Sequence, residues 1–476
     1  MDESGESSSI REKCETDLEQ LLILYRLLMS NGTDSERVKA TFKLAKVYCR
    51  YLPGDVLSCV IPILVECLRS DPLTDSQKAL QIAAVYCLKC IVSHCDVRLA
   101  DEIGRSGAIE HMLRLIPVVS DDTFRLILVK CLLVLVSLGD ECRVILARIG
   151  GLSEVIGMLI SIRSDVRLEQ YLLEILSALA MLKEVRKELV RAGGLSHLIR
   201  ATSRGTMASR VRASQVIGLL GVPKSMRRAF AKRGAIPALI KLFHTGDMET
   251  KLVAANSLGL ISAHTESIRP AGRAGAVDVF AELLAGTEAQ GRDIAEDAFC
   301  VLAVAEQNAI DIADHMVKLL REGDDETRAV AADVLWDIVI YRHRAPVMLN
   351  SGAIPILVQL LRDRGVQPEA RERVCALVSR MCYEKRDRDA IADIGAIPLL
   401  ADIVDHDESE DVKECALEGL LCLYEDPDYH DKVSAAIDVT KLRHVEDLLA
   451  EIRKSDELMH RSSRWVHRYR WDPDLI

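Results

Sequence analysis

Cys87, Cys90, His94 and Cys95 form the tightest group of metal-ligating side chains in the sequence, spaced Cys-x2-Cys-x3-His-Cys. Zinc takes thiolates and imidazoles at such spacing. Yet Cys87, Cys90 and His94 recur at i, i+3 and i+7, which traces one face of a helix, and the run IAAVYCLKCIV around the two thiols is apolar. We read these residues as helix core and expect no bound metal. Cys375 with Cys382 and Cys415 with Cys422 repeat a seven-residue spacing, which again marks one helix face. No GxxxxGK[ST] or GxGxxG phosphate loop, GxSxG elbow or HExxH helix is present. His244, His264 and His343 fall near turns at unrelated positions. Nothing here assembles a nucleophile, a base and an orienting group, so the chain is read as a non-enzyme with no cofactor.

The elements around these residues are helical by composition. Of 476 residues 49% are hydrophobic but only 4% aromatic, so Leu, Ala, Val and Ile carry the core, which suits packed helices better than sheets. A formal net charge of -11 argues against general nucleic-acid binding, which needs a basic face to neutralise phosphates. It leaves room for basic protein partners. The 14 Cys are scattered through apolar stretches, and the start MDESGESSSIREKCE carries no apolar signal-peptide core. Reduced thiols in the cytoplasm, the nucleus or both are therefore expected. The longest apolar run, Leu126 to Leu138, contains Lys130 and is too short to span a bilayer, so it reads as a buried helix. Asp2 excludes myristoylation and the terminus DPDLI lacks a prenylation Cys, so no membrane partner is expected. No small-molecule ligand is expected either.

One phrase organises the chain: Gly, a small residue, an apolar one, then a Leu-rich stretch. It occurs as GAIEHMLRLI from Gly107, GLSEVIGMLI from Gly151, GLSHLIRAT from Gly194, GAIPALIKLF from Gly234, GAVDVFAELL from Gly275, GAIPILVQLL from Gly352 and GAIPLLADIV from Gly395. The starts lie 40 to 44 residues apart except for one gap of 77, two periods, which holds a copy without glycine, DIADHMVKLL from Asp311. Another such copy, CVIPILVECL, begins at Cys59. Each unit reads as a short helix such as Ser225 to Arg233, a helix-closing glycine, a second helix opening on Ala-Ile-Pro, a polar turn, and a longer helix such as Leu252 to Ser262. The seven glycines are expected to take the left-handed backbone.

A three-helix unit of this period, with GAIPALIKLF as second helix and AANSLGLIS as third, resembles the armadillo repeat. The resemblance covers roughly residues 55 to 435, with no other domain beside it, as in armadillo-only proteins, many of them from plants. It implies an all-α fold: a right-handed α-solenoid, or superhelix, of about nine armadillo-like repeats whose third helices line a concave groove. The organisation expected is an acidic disordered leader over 1–15, an N-terminal helical cap over 16–55, the array over 56–440, and a C-terminal helical cap with a basic aromatic tail over 441–476.

In the family's import adaptors the third helix carries a Trp and, four residues on, an Asn. The positions matching that Trp are Tyr86, Lys130, Glu174, Gln215, Asn256, Asp297, Asp333 and Glu418. Those matching the Asn are Cys90, Val134, Ala178, Leu219, Leu260, Val301, Asp337 and Cys422. The ladder is absent, and so is a basic N-terminal autoinhibitory segment. What remains is a polar stripe on otherwise apolar helices, which is the mark of a solvated face. Glu174, Gln215, Asn256, Asp297, Asp333, Asp337 and Glu418 are the candidate partner groove, acidic towards its C-terminal end. In the tail, Arg464, Trp465, Arg468 and Tyr469 either cap the last repeat, bind a partner, or dock into the chain's own groove.

The function expected is an intracellular protein-binding scaffold or adaptor that holds an extended, basic protein segment in the groove. The alternatives are a substrate-recruiting arm of a ubiquitin-ligase complex and a nuclear-import-type cargo adaptor. No U-box-like segment precedes the repeats, so a ligase role would require a separate catalytic partner.

Overall fold

The computed structural model describes residues 20–71, 74–93, 97–162, 165–191, 193–339 and 345–445. Among them there is no strand, and helices follow one another through short turns. They belong to two compact units, Met1–Leu220 and Gly221–Ile476. The leader over 1–15 and the tail residues Arg464, Trp465, Arg468 and Tyr469 lie outside the described residues. Among those described, no single helix is long and apolar enough to cross a membrane.

The unit at 224–262 shows how a repeat is built. Its first helix, Lys224–Lys232, ends two residues before Gly234, whose φ of 87° is left-handed backbone that only glycine adopts without strain. The second helix, Ala235–Thr245, starts from that point and buries Ile236, Leu239, Ile240, Leu242 and Phe243. The third, Met248–Ser262, starts where the Asp247 carboxylate accepts from the Thr250 amide, and it buries Ala254, Ala255, Leu258 and Ile261. The same side-chain cap opens other third helices at Thr33, Thr74, Asp121, Asp165 and Ser409. Thr33 and Thr74 are joined by Glu36 and Gln77 in reciprocal capping boxes.

Within each unit the third helices pack on one another in chain order. In the first these are Asp34–Lys43, Asp75–Val92, Asp122–Leu138 and Val166–Ala180; in the second, Met248–Ser262, Ala289–Leu302, Asp325–Val339, Pro368–Met381 and Glu410–Tyr424. The apolar run from Leu126 thus forms most of one such helix. Five phenylalanines, Phe124, Phe230, Phe243, Phe280 and Phe299, are fully buried, and the Phe280 and Phe299 rings meet edge to face at 6.1 Å.

A recurring hydrogen bond ties five of the repeats to the one before. A side chain in the first helix donates to the carbonyl six residues earlier, at the end of the preceding third helix, where carbonyls have no helical partner. Arg186 does this to Ala180, Arg227 to Gly221, Asn308 to Leu302 and Arg388 to Cys382, at 2.7–3.1 Å. His430 places Nδ1 2.9 Å from the Tyr424 carbonyl in the same way. Asn308 also donates to the Ile268 carbonyl, one repeat back, at 2.9 Å.

The expected pattern of closing glycines needs correction at two of seven copies. In the doubled glycines it is Gly150 (φ 84°) and Gly193 (φ 74°) that turn left-handed, while Gly151 and Gly194 are the first residues of the second helices. A Cβ on Gly150 would meet nothing, whereas one on Gly151 would lie 2.6 Å from the Leu146 carbonyl oxygen. The first glycine supplies the turn and the second the close approach. The copy at Asp311 is also altered. With no glycine to break it, one helix, Glu306–Glu322, runs through both the first- and second-helix positions.

Candidate binding face on the third helices

A third helix has its own second helix on one side and neighbouring third helices on two others. One strip of its surface is left open, and the polar stripe residues occupy it. Tyr86, Lys130, Glu174, Gln215, Asn256 and Asp333 are half-buried or exposed, while the residues immediately before and after each of them are buried. Asp297, Asp337 and Glu418 are half-buried on the helices Ala289–Leu302, Asp325–Val339 and Glu410–Tyr424.

In the second unit the strip is rich in carboxylates. Asp333 and Asp337 are one turn apart, with Trp336 between them 38% exposed, an unusual place for a large ring. The Cys300 thiol donates to Asp337 Oδ2 at 2.8 Å. Burial raises the Asp333 carboxyl above its ordinary value, and the charges of Asp337, Glu369 and Glu372 push the same way against Arg373. Burial likewise raises Glu418, helped by Glu414 and opposed by Arg380. Both opposing arginines sit on Pro368–Met381, the third helix that the spacing of the polar stripe passes over. Arg373 reaches Asp333 at 3.7 Å and Arg380 stacks 4.5 Å over the Tyr383 ring. Its position in register is Ala376, midway in the 85-residue interval from Asp333 to Glu418. Halving that interval would have exposed both arginines at the sequence level.

The first unit presents a different strip. Glu174 accepts from Gln170 at 3.1 Å and lies 3.6 Å from Arg212, which donates to Gln215 at 2.8 Å. Upstream the strip is cationic and aromatic. Lys130 lies 5.5 Å from the Tyr171 ring centre and Lys89 lies 5.0 Å from that of Tyr86. The Tyr86 ring is 6.0 Å from Phe42, which the stripe assignment missed although it stands 44 residues before Tyr86.

Seven of the twelve described cysteines are core; Cys67, Cys90, Cys300 and Cys415 are half-buried and Cys59 is exposed. Cys87 is fully buried with its sulfur 3.9 Å from that of Cys49, and Cys375, Cys382 and Cys422 are buried too. Burial raises the Cys131 and Cys142 thiols to about 12 and those of Cys375 and Cys382 well above the ordinary value, while the Cys49–Cys87 contact lowers Cys49 and raises Cys87. All twelve described cysteines are free thiols, and among the described residues no three His, Cys, Asp or Glu are grouped to hold a metal. His94 and Cys95 lie outside the described residues.

No family model and no curated protein sequence matches the chain. Its fold does match solved structures. An engineered protein of the Northeast Structural Genomics Consortium aligns with a TM-score of 0.63 at 22% identity, over 85% of this chain and 98% of that one. A designed armadillo repeat protein, and a computationally designed one for modular peptide recognition, each align with a TM-score of 0.45 at 20% identity, over 50% of this chain and 98% of theirs. With three helices and a left-handed glycine between the first and second in seven of the repeats, the described residues fold as an all-helical, armadillo-like repeat solenoid.

Proposed function

We propose that this chain is a protein-binding scaffold, not an enzyme, and that the third helices of its second unit hold an extended basic segment. The observation that carries this reading is the run of half-buried carboxylates on the strip, Asp297, Asp333, Asp337 and Glu418, with the exposed Trp336 beside them. Asp333 and Glu418 are each held above their ordinary pKa by burial and by neighbouring carboxylates. A lysine or arginine of a partner relieves that cost, so binding and ionisation favour each other. Trp336 adds an exposed ring beside Asp333 and Asp337 on which an apolar or guanidinium side chain can pack.

The test is calorimetric titration of the full chain with a 12-residue peptide in which Lys alternates with Leu, beside its Glu-for-Lys counterpart. The Lys peptide is expected to bind the second unit, and Asp297→Arg with Asp333→Arg to weaken it about tenfold or more, with the circular dichroism unchanged. Equal binding by wild type and variant would end the acidic-strip reading. The adaptor, ligase-arm and import-carrier roles differ in what accompanies the chain: a signalling complex, a ubiquitin ligase, or import receptors with cargo. Affinity purification with mass spectrometry separates them. The free thiols fit a reducing compartment, cytoplasm or nucleus, which imaging of the tagged protein checks.

A further inference from the structure

The first unit's strip differs from the acidic one in charge, and the difference is systematic. Residues 37–54 contain Arg37, Lys39, Lys43, Lys46 and Arg50 and no Asp or Glu, in a chain whose net charge is -11. Residues 76–93 and 123–139, the bodies of the next two third helices, also lack any acid. The cations at the strip stand over aromatic rings: Lys46 at Phe42 (5.7 Å), Lys89 at Tyr86 and Lys130 at Tyr171. Arg50 adds its charge beside Tyr86. The Phe42–Tyr86 contact links the first two third helices, and the Lys130–Tyr171 contact the next two.

Two further features set this strip apart. Phe42 is the one phenylalanine of six that is not fully buried. The helix that presents it changes after Lys43 to a wider π-helical turn, Leu44–Tyr48, closed by the Cys49 amide on the Leu44 carbonyl at 3.0 Å. Such turns are uncommon and concentrate where side chains are re-aimed for function.

We propose that this strip is a second docking face, of opposite charge to the first, and that it takes an extended protein segment with an Asp or Glu at about every third residue and aromatic or aliphatic side chains between. Its carboxylates pair with Lys46, Arg50, Lys89 and Lys130, and its apolar side chains pack on Phe42, Tyr86 and Tyr171. Packed helices lie about 10 Å apart, and an extended chain advances about 3.3 Å per residue. One acid about every third residue therefore meets one helix after another, and about ten residues cross all four. A protein segment fits better than nucleic acid. A phosphate backbone needs many cations along its length, whereas this strip offers a few, and Glu174 follows at its end.

The probe is a fluorescein-labelled 12-residue peptide with Glu at every third position and Leu and Phe between, titrated by anisotropy into the full-length protein. A Lys-for-Glu peptide and a 12-nucleotide single strand are run beside it. The Glu peptide is expected to bind, more weakly as salt rises. Lys46→Glu, Lys89→Glu and Lys130→Glu together should weaken it about tenfold or more, at a fraction of a kcal/mol per exposed charge pair and repulsion added. The Lys→Arg triple should retain binding, and Asp297→Arg with Asp333→Arg should leave it unchanged. That last pair separates failure here from failure of the acidic-strip reading. Should the Glu triple lose its helical circular dichroism, the milder Lys→Gln triple serves, with a smaller loss expected. Undiminished Glu-peptide binding in a folded triple variant, no binding at low salt, or tighter binding of the oligonucleotide overturns the proposal.

Discussion

Replacing Asp387 with valine should stabilise this protein, and by an amount that depends on pH. Asp387 lies on the first helix Lys385–Asp393, is 1% exposed, and has no hydrogen-bond partner for either carboxylate oxygen among the described residues. Eight residues ahead of the left-handed glycine, it occupies a slot that other repeats fill with Leu99, Cys142, Val185 and Met226, all buried. Its neighbours give it no cation. Arg388 turns to the carbonyls of Cys382 and Tyr383 and to Asp426, while the Glu384 charge opposes ionisation. Burial first, and Glu384 second, raise the carboxyl from 3.8 to about 7.

The sign follows from linkage. Below about pH 4 the carboxyl is protonated in both states and there is no ionisation penalty, only the pH-independent cost of an unpaired buried polar group. Between about 4 and 7 the folded state keeps a proton that the unfolded state releases, so stability falls with rising pH at up to about 1.4 kcal/mol per pH unit. Above 7 the penalty is complete, on the order of 3–4 kcal/mol. Urea unfolding of wild type and Asp387→Val at pH 5, 6, 7 and 8 reads the difference, in which other titrating groups cancel. The valine variant should gain on wild type steadily from pH 5 to 7 and then level off. Asp387→Asn removes the charge but leaves an unpaired amide, which costs about 1–3 kcal/mol at any pH, so it should share the pH trend with a smaller gain. A difference that does not change with pH would refute the reasoning, because the carboxylate would then have found a partner or water.

Other outcomes test the repeat and the strip. Gly150→Ala places a Cβ at positive φ in open space and should cost about 1–2 kcal/mol, whereas Gly151→Ala drives one against the Leu146 backbone and should cost more; denaturant midpoints of the pair decide this. Asn308→Ala removes donors to the Leu302 and Ile268 carbonyls and opens space against Gly272, so a loss of about 1–3 kcal/mol is expected in the same assay. Because the Asp333 and Glu418 carboxyls are raised, a bound Lys peptide should release protons from them. Its affinity should fall as pH drops through the raised values, above the ordinary 3.8 and 4.5, which calorimetry in buffers of differing ionisation enthalpy detects.

The periodic features of this molecule are legible without coordinates. A phrase such as GAIPALIKLF states its own structure: a glycine that alone tolerates left-handed backbone, a helix start that accepts proline, and an apolar face of helical period. Thr33 with Glu36 and Thr74 with Gln77 announce helix starts just as locally. The polar positions from Tyr86 to Glu418 are visible because a solvated strip must stay polar while its flanks are apolar. All of these are set by residues within one or two turns of each other.

What the sequence could not decide depends on groups distant along the chain. Either glycine of Gly150–Gly151 could close the helix by propensity; the Leu146 backbone, packed against the second, makes the choice. Residues 306–322 read as two helices in register with their neighbours, but with no glycine between them the helix continues, and packing accepts the longer rod. Arg373 and Arg380 enter the acidic strip, and Phe42 meets Tyr86, only because helices about forty residues apart lie side by side. Asp387 is an ordinary surface-type residue in the polar run EKRDRD; tertiary packing alone buries it, since a first helix must turn that position inward to cover the repeat before it. Local backbone chemistry and helical period determined the repeat, and the stacking of repeats decided which charges meet and which are buried.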